Sequence, residues 1–394
     1  MKTRDPTNGS APLALAARLA FYYGAIFLVM GVYLPFWPVW LEGRGVGPGE
    51  IGLLLAITTW TKVIASPAMA QIADRLGERR RVMMALSVAA LASYALFAVA
   101  DGFWALALVA VLVGATLPPI MPLGENMTML AARARGLDYG RIRLWGSLSF
   151  ILASWGGGQW LAGRPESAIL WLVLAGLGLT VVACWSLPDI RPTPAPPRAK
   201  PVRGLLRQPV FLLFLATVSL IQSSHGMLYG FGTLHWRAAG LSDGTIGLLW
   251  AEGVLAEVVL FAFSGRVVRR VGVVPLMLIA AAAGVARWTV TALSADLGVL
   301  MAVQLLHALT FGATHLAAMH FIQRAVPEEV SATAQGLYSA VAMGVVLASV
   351  IMASGGLYAW AGGHAFFAMT AMSVLGGVAA VALGRRWRGE ELRL

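Results

Sequence analysis

The sequence predicts an all-α membrane protein: twelve transmembrane helices in two pseudo-symmetric six-helix bundles. Three observations carry that expectation. Hydrophobic residues make up 59% of the 394 and charged residues only 12%, which excludes a soluble globule. The cations sort to alternate ends of the apolar runs. Of 29 lysines and arginines, 23 fall on one side and only Arg44, Arg164 and Arg237 on the other, with Arg18, Lys62 and Arg287 inside spans. Basic loops stay in the cytoplasm, so both termini are expected there. The chain also repeats itself. Gly45-x-x-x-Gly49-x-Ile51-Gly52-Leu53-Leu54 recurs as Gly240-x-x-x-Gly244-x-Ile246-Gly247-Leu248-Leu249. Ala70-x-x-x-Asp74-Arg75-x-Gly77 falls on Gly265-x-x-x-Arg269-Arg270-x-Gly272 at the same offset of 195 residues.

Spans are expected at 15–41, 50–72, 82–100, 103–131, 139–161 and 168–187, then at 210–235, 245–264, 273–293, 298–322, 332–354 and 364–384. These make a first bundle over 1–187, a cytoplasmic linker over 188–209 and a second bundle over 210–394. The linker carries six prolines between Pro188 and Pro201, which favour extended chain. No cleavable signal is expected before the first span, since a short polar stretch with Lys2 and Arg4 runs straight into it. In that span Pro35 and Pro38 are expected to kink the helix end, and Trp37 and Trp40 to join an interfacial belt. Phe21, Tyr22 and Tyr23, further in, are candidates to line a cavity.

Charges inside the spans mark candidate sites, since an ionisable group in a bilayer is costly unless paired or facing water. Lys62 lies about twelve residues into the second span, too deep to snorkel easily. Glu257 is its repeat-mate in the eighth span, Glu252 lies nearer the outer end, and Arg287 and His307 follow in the ninth and tenth. Glu125 and Arg143 flank the basic turn between spans four and five, each expected a turn or two inside its helix end. Either pair of helices could be tied by a permanent ion pair instead. His225, His315 and His320 are expected to be hydrogen-bonded core or helix-end residues. The one cysteine, Cys184, excludes disulfides and cysteine metal sites, and no metal-ligand or nucleophile–base motif is present.

Tyr139-Gly140-Arg141-Ile142-Arg143-Leu144-Trp145-Gly146, with Glu125 eighteen residues before Arg143, resembles the helix 4–helix 5 junction of the lactose permease family, and more closely that of the phenylpropionate permease family. Asp74-Arg75-Leu76-Gly77-Glu78-Arg79-Arg80 resembles the loop 2–3 signature of the major facilitator superfamily, with Ala70 for the usual leading glycine and Glu78 for a usual base. The spacing of Arg270, Arg287 and His307 is also that of lactose permease, but Gln304 and Thr310 stand where that permease has its lysine and its proton-carrying glutamate. The resemblance implies the major facilitator fold. It implies a substrate-binding pair of Glu125 and Arg143, with Phe150 beside it, to which the cavity candidate Tyr22 is added, and a cytoplasmic gate of Asp74, Arg75 and Gly77. It implies a proton-coupling set of Arg287 and His307; as proton carrier, burial and nearby charge make Glu257 the candidate, with Glu252 in reserve and His307 able to do the same near neutral pH.

Duplicated helical halves are a transporter pattern, and without a phosphate-binding loop transport must run on an ion gradient or downhill. The expectation is a non-enzymatic, proton-coupled uptake system for a small aromatic or other organic acid. Sugar or nucleoside symport, efflux of amphipathic compounds, and a non-transporting sensor on the same scaffold are the alternatives. The expected partners are a small-molecule substrate and the lipid bilayer, with no nucleic acid; the expected state is a monomer in a bacterial inner membrane. No cofactor or metal is expected, only the proton as coupling ion.

Overall fold

The computed structural model describes residues 10–188 and 202–392, nearly all of them helical. The first helices are α1 (Ser10–Gly43), α2 (Pro48–Leu76), α3 (Arg79–Leu96), α4 (Gly102–Thr116), α5 (Ile120–Arg135), α6 (Tyr139–Leu161) and α7 (Ser167–Ser186). There follow α8 (Val202–Arg207), α9 (Pro209–Ser223), α10 (Thr233–Ala238), α11 (Asp243–Ala262), α12 (Ser264–Val271) and α13 (Val273–Leu293). The last are α14 (Leu297–Gln304), α15 (Thr314–Ala325), α16 (Glu328–Ala340), α17 (Leu347–Ala361) and α18 (Phe366–Arg386). Among the described residues, nine helical runs are long and apolar enough to cross a bilayer. One is the 59-residue run Glu328–Arg386, which Gly362 interrupts at φ 54°. The expected spans three and five are present as α3 and α6, but α3 opens on three arginines and α6 is rich in glycine and serine.

The repeat read from sequence reappears in the backbone. Gly45 and its mate Gly240 have φ of 76° and 89°, and Gly77 and Gly272 have 66° and 84°, a region that side-chain-bearing residues rarely enter. Each pair therefore ends a helix in the same way in both halves.

The chain forms two compact units. One gathers residues up to Val46, the chain from Trp60 through α7, and Asp243–Leu248; the other holds Gly47–Thr59, α8 through Ser242, and Leu249 onward. In the first, α1 packs on α6 and α7, and α3 on α7. In the second, α18 lies against α13 and α9, over a core in which Phe214 stacks on Phe321 at 4.2 Å. The Pro-rich stretch 189–201 and the terminal Lys2 and Arg4 lie outside the described residues; the end of the expected linker is the short helix α8.

Two local expectations change. α1 continues through Pro35 and Pro38 to Gly43, and Trp37 and Trp40 are buried, stacked on each other at 4.6 Å and edge-on to Phe97. Their rings fill the packing inside the first unit, where they bury more apolar area than a lipid-facing belt would. Three spans of the second unit are also not continuous α-helix. α9 breaks at Ser224 and His225 before a π-turn at Leu228–Gly232, α14 breaks at Leu305 and Leu306 before one at Ala308–Ala313, and Val341–Val346 separates α16 from α17. Such turns free backbone groups and re-aim side chains, and they concentrate at functional sites.

Candidate functional site

Two polar clusters stand out, one in each unit. The first is built at the α5–α6 turn. Gly136 ends α5 in the left-handed region and Asp138 caps α6 by accepting from the Arg141 backbone N–H at 3.1 Å. α5 runs to Arg135, a turn beyond its expected end. Glu125 therefore sits about 15 Å from that end along the helix, and Arg143 about 6 Å into α6. No ion pair joins them among the described residues. Glu125 instead accepts from the Tyr139 hydroxyl, and Tyr139 stands one turn before Arg143 on the same helix face. The Arg143 guanidinium lies over the ring of Phe27 at 4.2 Å and near that of Tyr23 at 5.3 Å. Cation–π contact of this kind stabilises by about 0.5–2 kcal/mol and leaves the N–H edges of the fork unoccupied by carboxylate.

The other expected members stand around this centre. Tyr22 is fully buried and donates to the Ile120 carbonyl at 2.8 Å, in space that Gly124 leaves open. Phe150 is only 6% exposed, and the ring facing Arg143 is Phe27. Gly146 lies against both: a Cβ there would stand 2.9 Å from Arg143 Nη1 and 2.9 Å from the Phe27 ring. Gly146→Ala should therefore displace the guanidinium from the ring, and weaken substrate binding about three- to tenfold if that contact orients the fork. Direct binding in detergent checks it, and unchanged affinity would show that the contact has no such role.

The second cluster surrounds Arg287 on α13, which is 1% exposed. Its Nη2 donates to Gln304 Oε1 at 2.6 Å and its Nη1 to Thr310 Oγ1 at 2.9 Å, and the group lies over Trp288 at 4.6 Å. Nη1 also faces His307 Nδ1 at 3.2 Å and His225 Nε2 at 3.3 Å. His307 Nε2 in turn faces Glu257 Oε2 at 3.5 Å. The tautomer follows from these partners: a guanidinium can only donate, so His307 Nδ1 accepts and the ring proton sits on Nε2, toward Glu257. Glu257, Arg287 and His307 are thus brought together as a guanidinium–imidazole–carboxylate series. Glu252 is not part of it, and one of its carboxylate oxygens is buried without a hydrogen-bond partner among the described residues. Lys62 is partly buried on α2, in the first unit.

At the α2–α3 turn, Asp74 accepts from Arg79 Nη2 at 2.7 Å, Arg79 being buried and Arg75 exposed. Asp74 is therefore held by a basic neighbour at the start of the next helix. Sequence reasoning missed Phe27 and Tyr139; it had Tyr23 as a cavity-lining candidate and expected His225 to be a hydrogen-bonded core residue, which it is, without placing it beside Arg287. The signal for His225 was present in Gln222-Ser223-Ser224-His225, four polar residues in succession within an apolar span.

The chain as a whole is similar to known proteins. Residues 14–369 match the MFS_1 like family. The chain is 37% identical to a probable 3-phenylpropionic acid transporter of Escherichia coli (strain K12), over 90% of this chain and 94% of that one. It is 28% identical to a maltose permease of Geobacillus stearothermophilus, over 94% of each. The crystal structure of the nucleoside transporter NupG superposes with a TM-score of 0.83 at 16% identity, over 94% of this chain and 99% of that one, a likeness of fold. With this family match, the 37% identity to a transporter and its helical membrane architecture, the chain belongs to the MFS_1 like family and is a multi-pass secondary transporter of the major facilitator type.

Proposed function

We propose that this transporter takes up a small aromatic acid, of the 3-phenylpropionate kind, together with protons, by alternating access in a bacterial inner membrane. The observation that carries the substrate class is the Arg143 guanidinium, seated on Phe27 and Tyr23 with Glu125 turned to Tyr139. Such a group offers two parallel N–H bonds to a carboxylate while the adjoining rings meet an apolar body. The 37% identity to the phenylpropionate relative supports the same reading. Phe27 then takes the part expected of Phe150, and Tyr22 braces the ring cluster from behind.

Coupling is assigned to Glu257, with His307 and Arg287. Glu257 takes the proton, and doing so removes the carboxylate that His307 Nε2–H faces. The imidazole is then free to re-aim, and Arg287 with it. Asp74, Arg79 and Gly77 would hold the cytoplasmic turn while this occurs. The reading has no enzymatic step and no cofactor beyond the proton, and it takes the protein as a monomer with both termini cytoplasmic.

The experiment is an uptake screen in proteoliposomes across 3-phenylpropionate, phenylacetate, maltose and nucleosides, with and without an imposed pH gradient. Concentration of an aromatic acid only when the gradient is present supports the proposal. Selective uptake of maltose would favour the second reading, for which the 28% identity over 94% of a maltose permease speaks.

A further inference from the structure

His225 has no part in the scheme above. It is fully buried at the break between α9 and the following π-turn. Its Nδ1 faces the Gln222 carbonyl oxygen at 2.9 Å. A carbonyl can only accept, so the ring proton sits on Nδ1, and Nε2 presents a lone pair. That lone pair faces Thr310 Oγ1 at 3.1 Å and Arg287 Nη1 at 3.3 Å. An imidazolium there would set two cations in contact, so in this arrangement His225 acts as a neutral acceptor.

Arg287 Nη1 has two hydrogens and three acceptors around it: His225, His307 and Thr310. One imidazole further on lies the Glu257 carboxylate. Beside the rings of Trp288 and Phe311, the other titratable groups near His225 among the described residues are two. Tyr229 stands on its own chain segment with ring centroids 5.8 Å apart, and His307 at 5.4 Å. α17 carries no charged residue, and those of α16 and α18 lie in the first and last turns respectively.

We propose that His225 is a positioning residue for proton coupling: a neutral acceptor at the break after α9 that, with Thr310, holds Arg287 away from a direct ion pair with Glu257. Without that acceptor the guanidinium swings toward the carboxylate, and the pair ties up the group that has to exchange a proton. The inference rests on Glu257 being the proton-accepting site, and the test separates the two.

The test is infrared spectroscopy of the full-length protein in liposomes, reading the protonated-carboxyl band that disappears in Glu257→Gln. It is read at the pH where half of that band is present in the wild-type protein. His225→Gln places a carboxamide oxygen near the position of Nε2 and should keep the band. His225→Asn, whose amide reaches only the position of Nδ1, should reduce it about fivefold, as a tenfold loss of proton affinity does. His225→Ala, a second variant without an acceptor at that point, should give the same loss. Equal bands in the glutamine, asparagine and alanine variants would overturn the inference and leave Glu257 as the proton site. A wild-type protein in which Glu257→Gln removes no band at any pH would overturn that reading and this inference with it.

Discussion

Replacing Glu257 with glutamine should abolish accumulation of substrate against its gradient while substrate exchange across the membrane persists. The carboxamide oxygen can still accept from His307 Nε2–H, so the local geometry around the 3.5 Å contact survives. What is lost is the group that binds and releases a proton. A coupling gradient can drive substrate uphill only through a site whose occupancy by the proton differs between the two states. The measurement is counterflow beside pH-driven uptake in the same vesicles. A Glu257→Gln protein that still concentrates substrate would remove Glu257 from the mechanism and direct attention to Glu252, whose buried oxygen has no hydrogen-bond partner among the described residues.

The second large effect is expected at Arg143. Lysine keeps the charge but lacks the planar fork and cannot lie flat across Phe27 and Tyr23. A charge-assisted bidentate contact is worth about 1.5–3 kcal/mol, so Arg143→Lys should weaken binding of an aromatic acid about ten- to hundredfold. Glu125→Gln should cost an acid less than it costs a sugar, because only a sugar would use the carboxylate as an acceptor for its hydroxyls. Direct binding with purified protein decides this. Full affinity in Arg143→Lys would make the cluster a tie between α1 and α6 with no part in recognition.

The architecture was legible because the bilayer allows so little else. Long apolar runs, alternating cation density and a 195-residue repeat each follow from burying a helical backbone in lipid twice over. The matching left-handed glycines at 45 and 240, and at 77 and 272, were implicit in that repeat. The π-turns were not legible, since one inserted residue in an all-apolar run leaves no break in hydrophobic pattern. The same reason decides what could be seen of the sites. Glu125, Arg143, Glu257, Arg287 and His307 were conspicuous because charge in a span is rare. Their neutral partners were less so: Phe27 looks like any aromatic in a membrane helix, and Tyr23, though a candidate to line a cavity, is put beside Arg143 only by the fold. The expected pairing of Glu125 with Arg143 depended on helix ends that sequence locates to within a turn. α5 is a turn longer than expected, and Tyr139 takes the carboxylate.

The central claim is that substrate and proton cross together. It is tested most directly by following the external pH of a lightly buffered vesicle suspension as an aromatic acid enters down its own gradient, beside the Glu257→Gln protein under the same conditions. The account predicts a transient rise in external pH with the wild-type protein, abolished by a protonophore and absent with Glu257→Gln. Entry of the acid at the same rate with equal pH traces for the two proteins would contradict it.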